Sequence, residues 1–319
     1  MAELDFEAPF AEGLKRLTEL RAYRGDPGKE REAAALKAQL DKDRREVYAN
    51  LSSWQRTLVA RHGNRPYTLD YVGALLTDFV EVKGDRRFGD DPAIVCGFGL
   101  FEGRSVCIIG HQKGRDTKQK IYRNFGMPKP EGYRKAMRIM RMAEKFGRPI
   151  LTFVDTPGAY PGLDAEERGQ AEAIAFNLRE MAKLTLPVIV TVVGEGGSGG
   201  ALAIAVGNRV NMLENSVYSV ITPEGCASIL WRDAARAPEA ARAMKVAARD
   251  LQSLGLIDDI IAEPPGGAHS DHEATFDAVR VVLGRQLDEL SAKSVKEILD
   301  ERYDKFRAMG RIGQDLVEG

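Results

Sequence analysis

The stretch VVGEGGSGGALAIAVGNRV, residues 192–210, decides how the chain is interpreted, because five glycines fall within its first nine residues. The apolar run PVIVTVVGE before the glycines predicts a buried strand, and ALAIAVG after them predicts a helix. The same order occurs one step earlier in the chain. RPILTFVDTPGAYPG and LPVIVTVVGEGGSGG both read proline, apolar strand, glycine loop, helix, and their prolines, Pro149 and Pro187, lie 38 residues apart.

This internal repeat favours an α/β fold. A unit recurring at this period predicts stacked strand–strand–helix turns in a superhelix, and the continuous apolar strands fit a plain doubly wound sheet as well. Upstream, AIVCGFGLF and RSVCIIGHQ predict two strands joined at Glu102 and Gly103, and LDYVGALLTDFVEV predicts one helix capped by Thr68. A long helical region is expected to close the chain.

The first 66 residues differ from the rest, because they are charged and rich in helix formers. We therefore expect a helical N-terminal arm over residues 1–66 and the main domain over residues 67–319. Apolar positions at roughly helical spacing within the arm fit either a solvated helix or a helix that docks on a partner subunit.

Composition narrows the class of protein. The 319 residues carry a net charge of −1 and are 44% hydrophobic, which is an ordinary mixture for a globular protein. We expect a cytoplasmic protein, because the N-terminus lacks the pattern of a signal peptide and no run approaches the roughly 20 apolar residues of a membrane span. The three cysteines have no CxxC spacing and the four histidines are scattered, so no metal site is expected in this chain.

Several kinds of chemistry could use the glycine stretch. Ser198 completes a G-x-S-x-G pattern and would be a hydrolase nucleophile if His269 or His272 lay beside it with an acid. Those histidines fall in a Pro/Gly-rich stretch, and a nucleophile elbow needs fewer glycines than are present. A phosphate loop would need a lysine, and a dinucleotide site would need an acid on a second strand, and both are missing. Tight packing of helix against strand is the purely structural explanation.

The residues favour a site made of backbone N–H groups. A glycine-rich turn that opens a helix directs unpaired N–H donors at one spot, where they stabilise an anion. Gly199 and Gly200 would supply such donors without any side chain. The loop Asp155–Gly162 occupies the equivalent place one repeat earlier, and Gly158 allows close approach there. A shared oxyanion hole, with one N–H from each loop, is the economical inference.

A basic segment lies between the hairpin and the first glycine loop. Lys113–Lys145 contains 11 Lys or Arg against three acids, which predicts a polyanionic ligand or an acidic partner unless the segment is a solvated helix face. Coenzyme A fits this surplus better than single-stranded nucleic acid does, because it accompanies enolate chemistry. We do not expect nucleic acid as a partner.

Four stretches of the chain together resemble the alpha subunits of bacterial acetyl-CoA carboxylase carboxyltransferase: HQKGRDTKQKIYRNFGMPKPEGYRKA, TFVDTPGAYPGLDAEERGQAEAIA, GEGGSGGALAIAVGNRVNML and YSVITPEGCASILW. The resemblance implies a crotonase-like superhelix of stacked ββα units. It also implies transfer of a carboxyl group from carboxybiotin, on a biotin carrier protein, to acetyl-CoA, giving malonyl-CoA for fatty-acid synthesis. The implied partners are a zinc-bearing beta subunit in an α2β2 assembly, the biotin carboxyl carrier protein and an ATP-using biotin carboxylase.

The resemblance also implies roles for particular residues. The backbone N–H groups of Gly199 and Gly200 would hold the ureido oxygen of biotin, with Gly158 and Ala159 completing the pocket. The released biotin nitrogen would then take the methyl proton of acetyl-CoA, so that no side-chain base is needed. The residues expected to contact the cofactor or its anionic groups are Gly196, Gly197, Tyr160, Lys113, Arg115 and Lys118. The alternatives are a self-sufficient acyl-CoA hydratase or isomerase, using carboxylates such as Glu166, Glu167 and Glu195, and a non-catalytic RNA-binding scaffold.

Overall fold

The computed structural model describes residues 4–23 and 25–310, so residues 1–3 of the predicted arm and 311–319 of the predicted domain lie outside the described residues. The strands of the described chain are β1 (Leu76–Glu81), β2 (Ile94–Phe101), β3 (Arg104–His111), β4 (Ile150–Thr156), β5 (Val188–Gly197), β6 (Arg209–Leu213), β7 (Val217–Ser219) and β8 (Asp259–Ile261). The helices are α1 (Ala11–Ala22), α2 (Pro27–Ala49), α3 (Ser53–Ala60), α4 (Thr68–Leu75), α5 (Thr117–Tyr122), α6 (Pro130–Lys145), α7 (Leu163–Glu167), α8 (Gln170–Met181), α9 (Ser198–Leu202), α10 (Pro223–Trp231), α11 (Ala237–Met244), α12 (Ala248–Ser253), α13 (His272–Ser291) and α14 (Val295–Ala308). None of these helices is long and apolar enough to cross a membrane.

The strands form one sheet in the order β1-β2-β3-β4-β5-β6-β8. Strands β1, β2 and β3 pair antiparallel, and from β3 onward the pairing is parallel. Strand β5 changes neighbours along its length: residues 189–192 pair with β6, and residues 195–197 pair with β7. On one side the end of β5 therefore exchanges β6 for β7, while on the other side Gly196 still pairs with Thr156 of β4.

Both faces of the sheet are buried, which explains the continuous apolar strands. In β4, Ile150 and Val154 join a core with α6 and α8, whereas Leu151 and Phe153 join a second core with α4 and α13. Because successive side chains of a strand point to opposite faces, each face needs its own apolar residues. Cys96 and Cys107 are free thiols buried in the first core.

Helix α3 makes the main contact between the N-terminal helices and the rest of the chain, and Arg44 of α2 also donates to the Gly266 carbonyl. Helices α1 and α2 pack on each other around a small core of Phe10, Leu17, Leu20, Ala33 and Leu40. Helix α3 instead contacts β5, β7 and α11. The predicted boundary at residue 66 stays a prediction, and the contacts of α3 show that the residues just before it belong to the framework around β5.

The sequence prediction of one helix over residues 69–82 was right up to Leu75 and wrong beyond it. The chain there forms helix α4 and then strand β1, which adds to the edge of the sheet beside β2. Asp78 has a φ of 53° where the register of that pairing shifts. Thr68 does not cap α4 either. Tyr67 is the N-cap residue, and the Thr68 hydroxyl donates to the His111 carbonyl at 2.5 Å. Tertiary pairing with β2 thus overrides the helical pattern of the local sequence.

A fully buried ion pair joins the segment after α3 to the segment after β8. The Arg65 guanidinium is 2.9 Å and 2.7 Å from the two Glu263 carboxylate oxygens and donates to the Val193 carbonyl at 2.9 Å. Both side chains are at most 1% exposed. Burial alone would raise the pKa of Glu263, but Arg65 and Asn215 lower it to about 2. The pair therefore stays charged inside the protein.

Replacing Arg65 with Met should lower the free energy of unfolding by about 3–5 kcal/mol, because Glu263 would remain buried without its counter-ion. Urea denaturation of the purified chain measures this. Arg104→Met is the matched control, since Arg104 pairs with Asp288 at the surface, and should cost less than about 1 kcal/mol. Equal losses in the two variants would contradict the assignment.

Candidate functional site

The glycine stretch forms the end of β5 and the start of a very short helix. Strand β5 runs to Gly197, and α9 begins at the next residue and ends after five residues. The predicted helix over residues 201–207 was therefore mostly wrong, because the chain after Leu202 turns within the first core. The N–H groups in the first turn of a helix have no acceptor within the helix. Among the described residues, no atom accepts a hydrogen bond from Gly199 or Gly200 N–H.

Ser198 lies at the turn between β5 and α9 in an unusual backbone conformation. Its φ is 56°, a left-handed value that a residue with a side chain adopts at a cost. Such strain persists only where the surrounding structure imposes it, and it is common at functional sites. The residue is exposed at this turn, so the turn stands at the surface while the glycines on either side are more buried.

The two glycine loops touch each other through their main chains. A methyl group at Gly197 would lie 2.1 Å from the Pro157 carbonyl oxygen, and one at Gly200 would lie 2.4 Å from the Ala159 nitrogen. Real side-chain carbons do not approach backbone so closely, so both positions require glycine. The Ala159 N–H, like those of Gly199 and Gly200, has no acceptor among the described residues. Three unpaired donors therefore come from two loops in direct contact.

Gly158 has a conformational role in this arrangement. Its φ is 155°, and a methyl group there would meet nothing within 4 Å. Its N–H donates to the Thr156 hydroxyl at 3.1 Å, and that hydroxyl donates to the Gly158 carbonyl at 2.7 Å. The Gly158 N–H is thus already occupied, which leaves Ala159 as the residue of that loop with an unpaired N–H.

The remaining loop residues differ in their access to solvent. Gly196 and Gly197 are buried in β5, where Gly196 packs against the Tyr218 ring. Tyr160 is partly exposed, and its ring lies 4.8 Å from the Lys129 ammonium. Of these three residues, Tyr160 alone has a side chain that a ligand could reach.

The three basic residues expected to contact anions are not equivalent. The Lys113 ammonium is 2.7 Å from Asp155 and 3.1 Å from Glu195, so internal carboxylates already neutralise it. Burial would lower the pKa of Lys113, but the two carboxylates raise it above its ordinary value. Arg115 pairs with Asp70 and donates to the Gly63 carbonyl. Lys118 is exposed and has no ion-pair partner in the described part of the chain.

More than half of the basic side chains of this segment are paired with carboxylates in the described part of the chain. Lys135 is buried against Asp90, Arg134 pairs with Asp85 and Glu131, and Lys129 pairs with Asp164. Arg138 donates to two backbone carbonyls, at 2.8 Å and 3.0 Å. The surplus counted along the sequence therefore does not form a free cationic surface of that size.

The histidines do not support a hydrolase. The His269 ring stacks on His62 at 3.9 Å between centroids, and the His272 ring pairs with the Asn64 carbonyl at 2.6 Å. Neither imidazole contacts Ser198. In residues 4–23 and 25–310, no three His, Cys, Asp or Glu side chains are arranged to hold a metal ion.

Sequence reasoning missed the residues beneath the loops. His111, at the end of β3, is completely buried, and burial lowers its pKa to about 3 despite opposing effects from the Gly200 and Phe153 backbones. The Asp155 N–H donates to its Nδ1 at 3.4 Å, which leaves the proton on Nε2. The Tyr133 hydroxyl lies 3.0 Å from the Cβ position of Gly200. The available signal was that polar residues end otherwise apolar strands, as His111 and Asp155 do.

Comparison with known proteins gives consistent matches along the chain. Residues 3–310 match a family described as acetyl co-enzyme A carboxylase carboxyltransferase-like. The acetyl-coenzyme A carboxylase carboxyl transferase subunit alpha of Syntrophotalea carbinolica is 61% identical over 97% of this chain and 98% of that protein. The protein of the same name from Geobacter metallireducens is 58% identical over 98% of each chain.

Solved structures with much lower sequence identity share the fold. Transcarboxylase 12S matches with a TM-score of 0.59 and 21% identity over 72% of this chain and 42% of that chain. A Pseudomonas malonate decarboxylase hetero-tetramer, in complex with coenzyme A, matches with a TM-score of 0.58 and 20% identity over 73% of this chain and 93% of that chain. These matches confirm the predicted α/β fold class of crotonase-like carboxyltransferases.

Gly197→Ala should destabilise the chain by about 1–3 kcal/mol, because the added methyl group overlaps the Pro157 carbonyl and forces the loops apart. Thermal and urea unfolding measure the change. Gly199→Ala is the matched control in the same stretch. Its methyl group would meet the Ile174 side chain no closer than 3.4 Å and should be tolerated. If Gly197→Ala were as stable as Gly199→Ala, the loops would not be held by this contact.

Proposed function

Since the chain belongs to the family of carboxyltransferase alpha subunits of acetyl-CoA carboxylase, we propose that its own contribution to carboxyl transfer is an oxyanion hole made of main-chain amides. As a member of that family it is a transferase subunit that works with carboxybiotin and acetyl-CoA chemistry. The N–H groups of Gly199, Gly200 and Ala159 are the proposed donors. The supporting observation is that these three donors are unpaired where the two loops meet.

The arrangement fits an anionic oxygen better than it fits a reacting side chain. Carboxybiotin supplies the carboxyl group as negative charge gathers on its ureido oxygen. Main-chain donors fixed by two packed loops need no reorganisation when that charge forms, and loss of one such donor typically lowers a rate by about 10²–10³-fold. The space beside Gly158 keeps the loop surface open to a ligand, because a methyl group there would contact nothing within 4 Å.

We propose that a second polypeptide completes the active site. Relatives are named as subunit alpha, and the donors proposed here bring no acid or base side chain with them. The expected partner is a zinc-bearing beta subunit that holds the acetyl group, in an α2β2 assembly. The biotin carboxyl carrier protein would deliver carboxybiotin after an ATP-using biotin carboxylase has loaded it. The cytoplasmic location stays a prediction.

Fewer basic residues are proposed to contact an anion here than the sequence suggested. Lys118 is the remaining candidate for a phosphate or carboxylate contact, since Lys113 and Arg115 have internal partners. Tyr160 is the remaining loop side chain that a cofactor could touch. Gly196 and Gly197 support the site through packing.

The two alternative functions have less support. A hydratase would need a free carboxylate pair, but Glu195 is held by Lys113 and by Arg61, whose Nε is 2.6 Å from it. Glu166 and Glu167 lie in α7, outside the contact between the loops. Crotonyl-CoA hydration by the purified chain would reveal such an activity. An RNA-binding scaffold would show a salt-dependent gel shift without carboxyl transfer.

Gly200→Val should abolish carboxyl transfer in the complex with the candidate beta subunit, because its side chain would occupy the space of Ala159 and Gly158. The assay is decarboxylation of malonyl-CoA with free biotin, after co-purification has shown that the subunits still assemble. Gly199→Ala keeps its N–H and should lose much less activity. Wild-type turnover by Gly200→Val would remove the oxyanion assignment.

A further inference from the structure

A buried carboxylate links the two strands that carry the glycine loops. Asp155 is the second-last residue of β4, and its Oδ1 accepts the Glu195 N–H of β5 at 3.0 Å. The Asp155 side chain is 3% exposed. A methyl group at Gly194 would lie 2.3 Å from that oxygen, so the carboxylate crosses to β5 only because Gly194 has no side chain.

This link lies where the backbone pairing between the strands is interrupted. Val154 pairs with Val192, but the next pair is Thr156 with Gly196. Strand β5 therefore has two more residues than β4 between these two pairs. A register shift of this kind leaves backbone groups without their ladder partners. The Asp155 carboxylate supplies an acceptor for the Glu195 N–H in that gap.

Lys113 neutralises the link from a third strand. It follows β3 by two residues, and its ammonium contacts both Asp155 and the Glu195 side chain. Its stem packs under Gly126, where a methyl group would lie 2.6 Å from the Lys113 Cγ. The Glu195 carboxylate is also bound by Arg61, just after α3. The ends of three neighbouring strands and the N-terminal helices thus meet at one ion-pair cluster.

We propose that Asp155 is the positioning residue that sets the two glycine loops against each other, with Lys113 as its counter-ion, and this rests on the function proposed above. The first loop, Thr156, Pro157 and Gly158, directly follows Asp155 in the sequence. The second loop directly follows Glu195. The proposed role needs no contact between Asp155 and a reacting atom. It acts through the spacing of the Ala159 and Gly200 amides, which must face one oxygen together.

The test compares Asp155→Ala and Asp155→Asn in the complex with the candidate beta subunit. A misplacement of about 1 Å can cost about 10²-fold in rate, so Asp155→Ala should lower kcat about 100-fold with KM for malonyl-CoA within about twofold. Asp155→Asn keeps an oxygen that accepts the Glu195 N–H and should recover about tenfold of that loss. Asp288→Ala, which removes an exposed carboxylate paired with Arg104, is the control and should leave kcat unchanged.

Hydrogen exchange supplies a readout that does not depend on activity. Amides 158–160 and 195–200 should exchange faster in Asp155→Ala than in the wild type, while those of β2 and β3 should not change. Wild-type kcat per assembled complex in both Asp155 variants, or unchanged exchange in the two loops, overturns the positioning role. An inactive wild-type complex would overturn the proposed function instead, and the exchange data would still decide whether Asp155 orders the loops.

Discussion

The site depends on main-chain contact between two loops that leave neighbouring parallel strands. Gly197 meets the Pro157 carbonyl, and Gly200 meets the Ala159 nitrogen, at distances that no side chain would allow. Each glycine has a cost in chain entropy, roughly 0.5–1 kcal/mol within regular structure, so a cluster of them needs a reason. Contact between backbones supplies that reason before any ligand is considered, and the unpaired amides are its consequence.

The loops keep this arrangement because buried ion pairs fix the ends of the strands that carry them. Arg65 and Glu263 form a buried pair on one side of β5, and Lys113 bridges two carboxylates at its end. Removing water from such charges is expensive, and the pairs recover that free energy only in well-formed geometry. Their value is therefore specificity of arrangement more than stability, and they make the position of the glycine stretch depend on residues from the N-terminal helices onward.

The sequence predicted the order of the central elements well because both faces of the sheet are buried. The hairpin of β2 and β3 and the strands β4 and β5 follow directly from apolar runs and glycine stops. It failed where tertiary contacts override local pattern, as in β1, which pairs with the sheet edge, and after Leu202, where the chain turns inside the core. The glycine loops could be predicted as a pair. That the Gly158 N–H bonds to Thr156, and that Lys113 is neutralised internally, could not be, since both depend on distances across the fold.

An oxyanion hole made of main-chain amides affects how the reaction depends on pH. Backbone N–H groups do not titrate, and the pKa values of His111, Glu195 and Lys113 are moved away from neutrality. Burial lowers the pKa of His111 to about 3 and keeps it uncharged. Burial pushes the pKa of Glu195 up and that of Lys113 down. Lys113 and Arg61 outweigh burial at Glu195, and Asp155 and Glu195 outweigh it at Lys113, so each stays charged. These groups hold constant charge across the neutral range. Between about pH 6 and 9 these three groups should therefore contribute no change in the rate of carboxyl transfer, because a titrating acid or base has to have its pKa near the working pH.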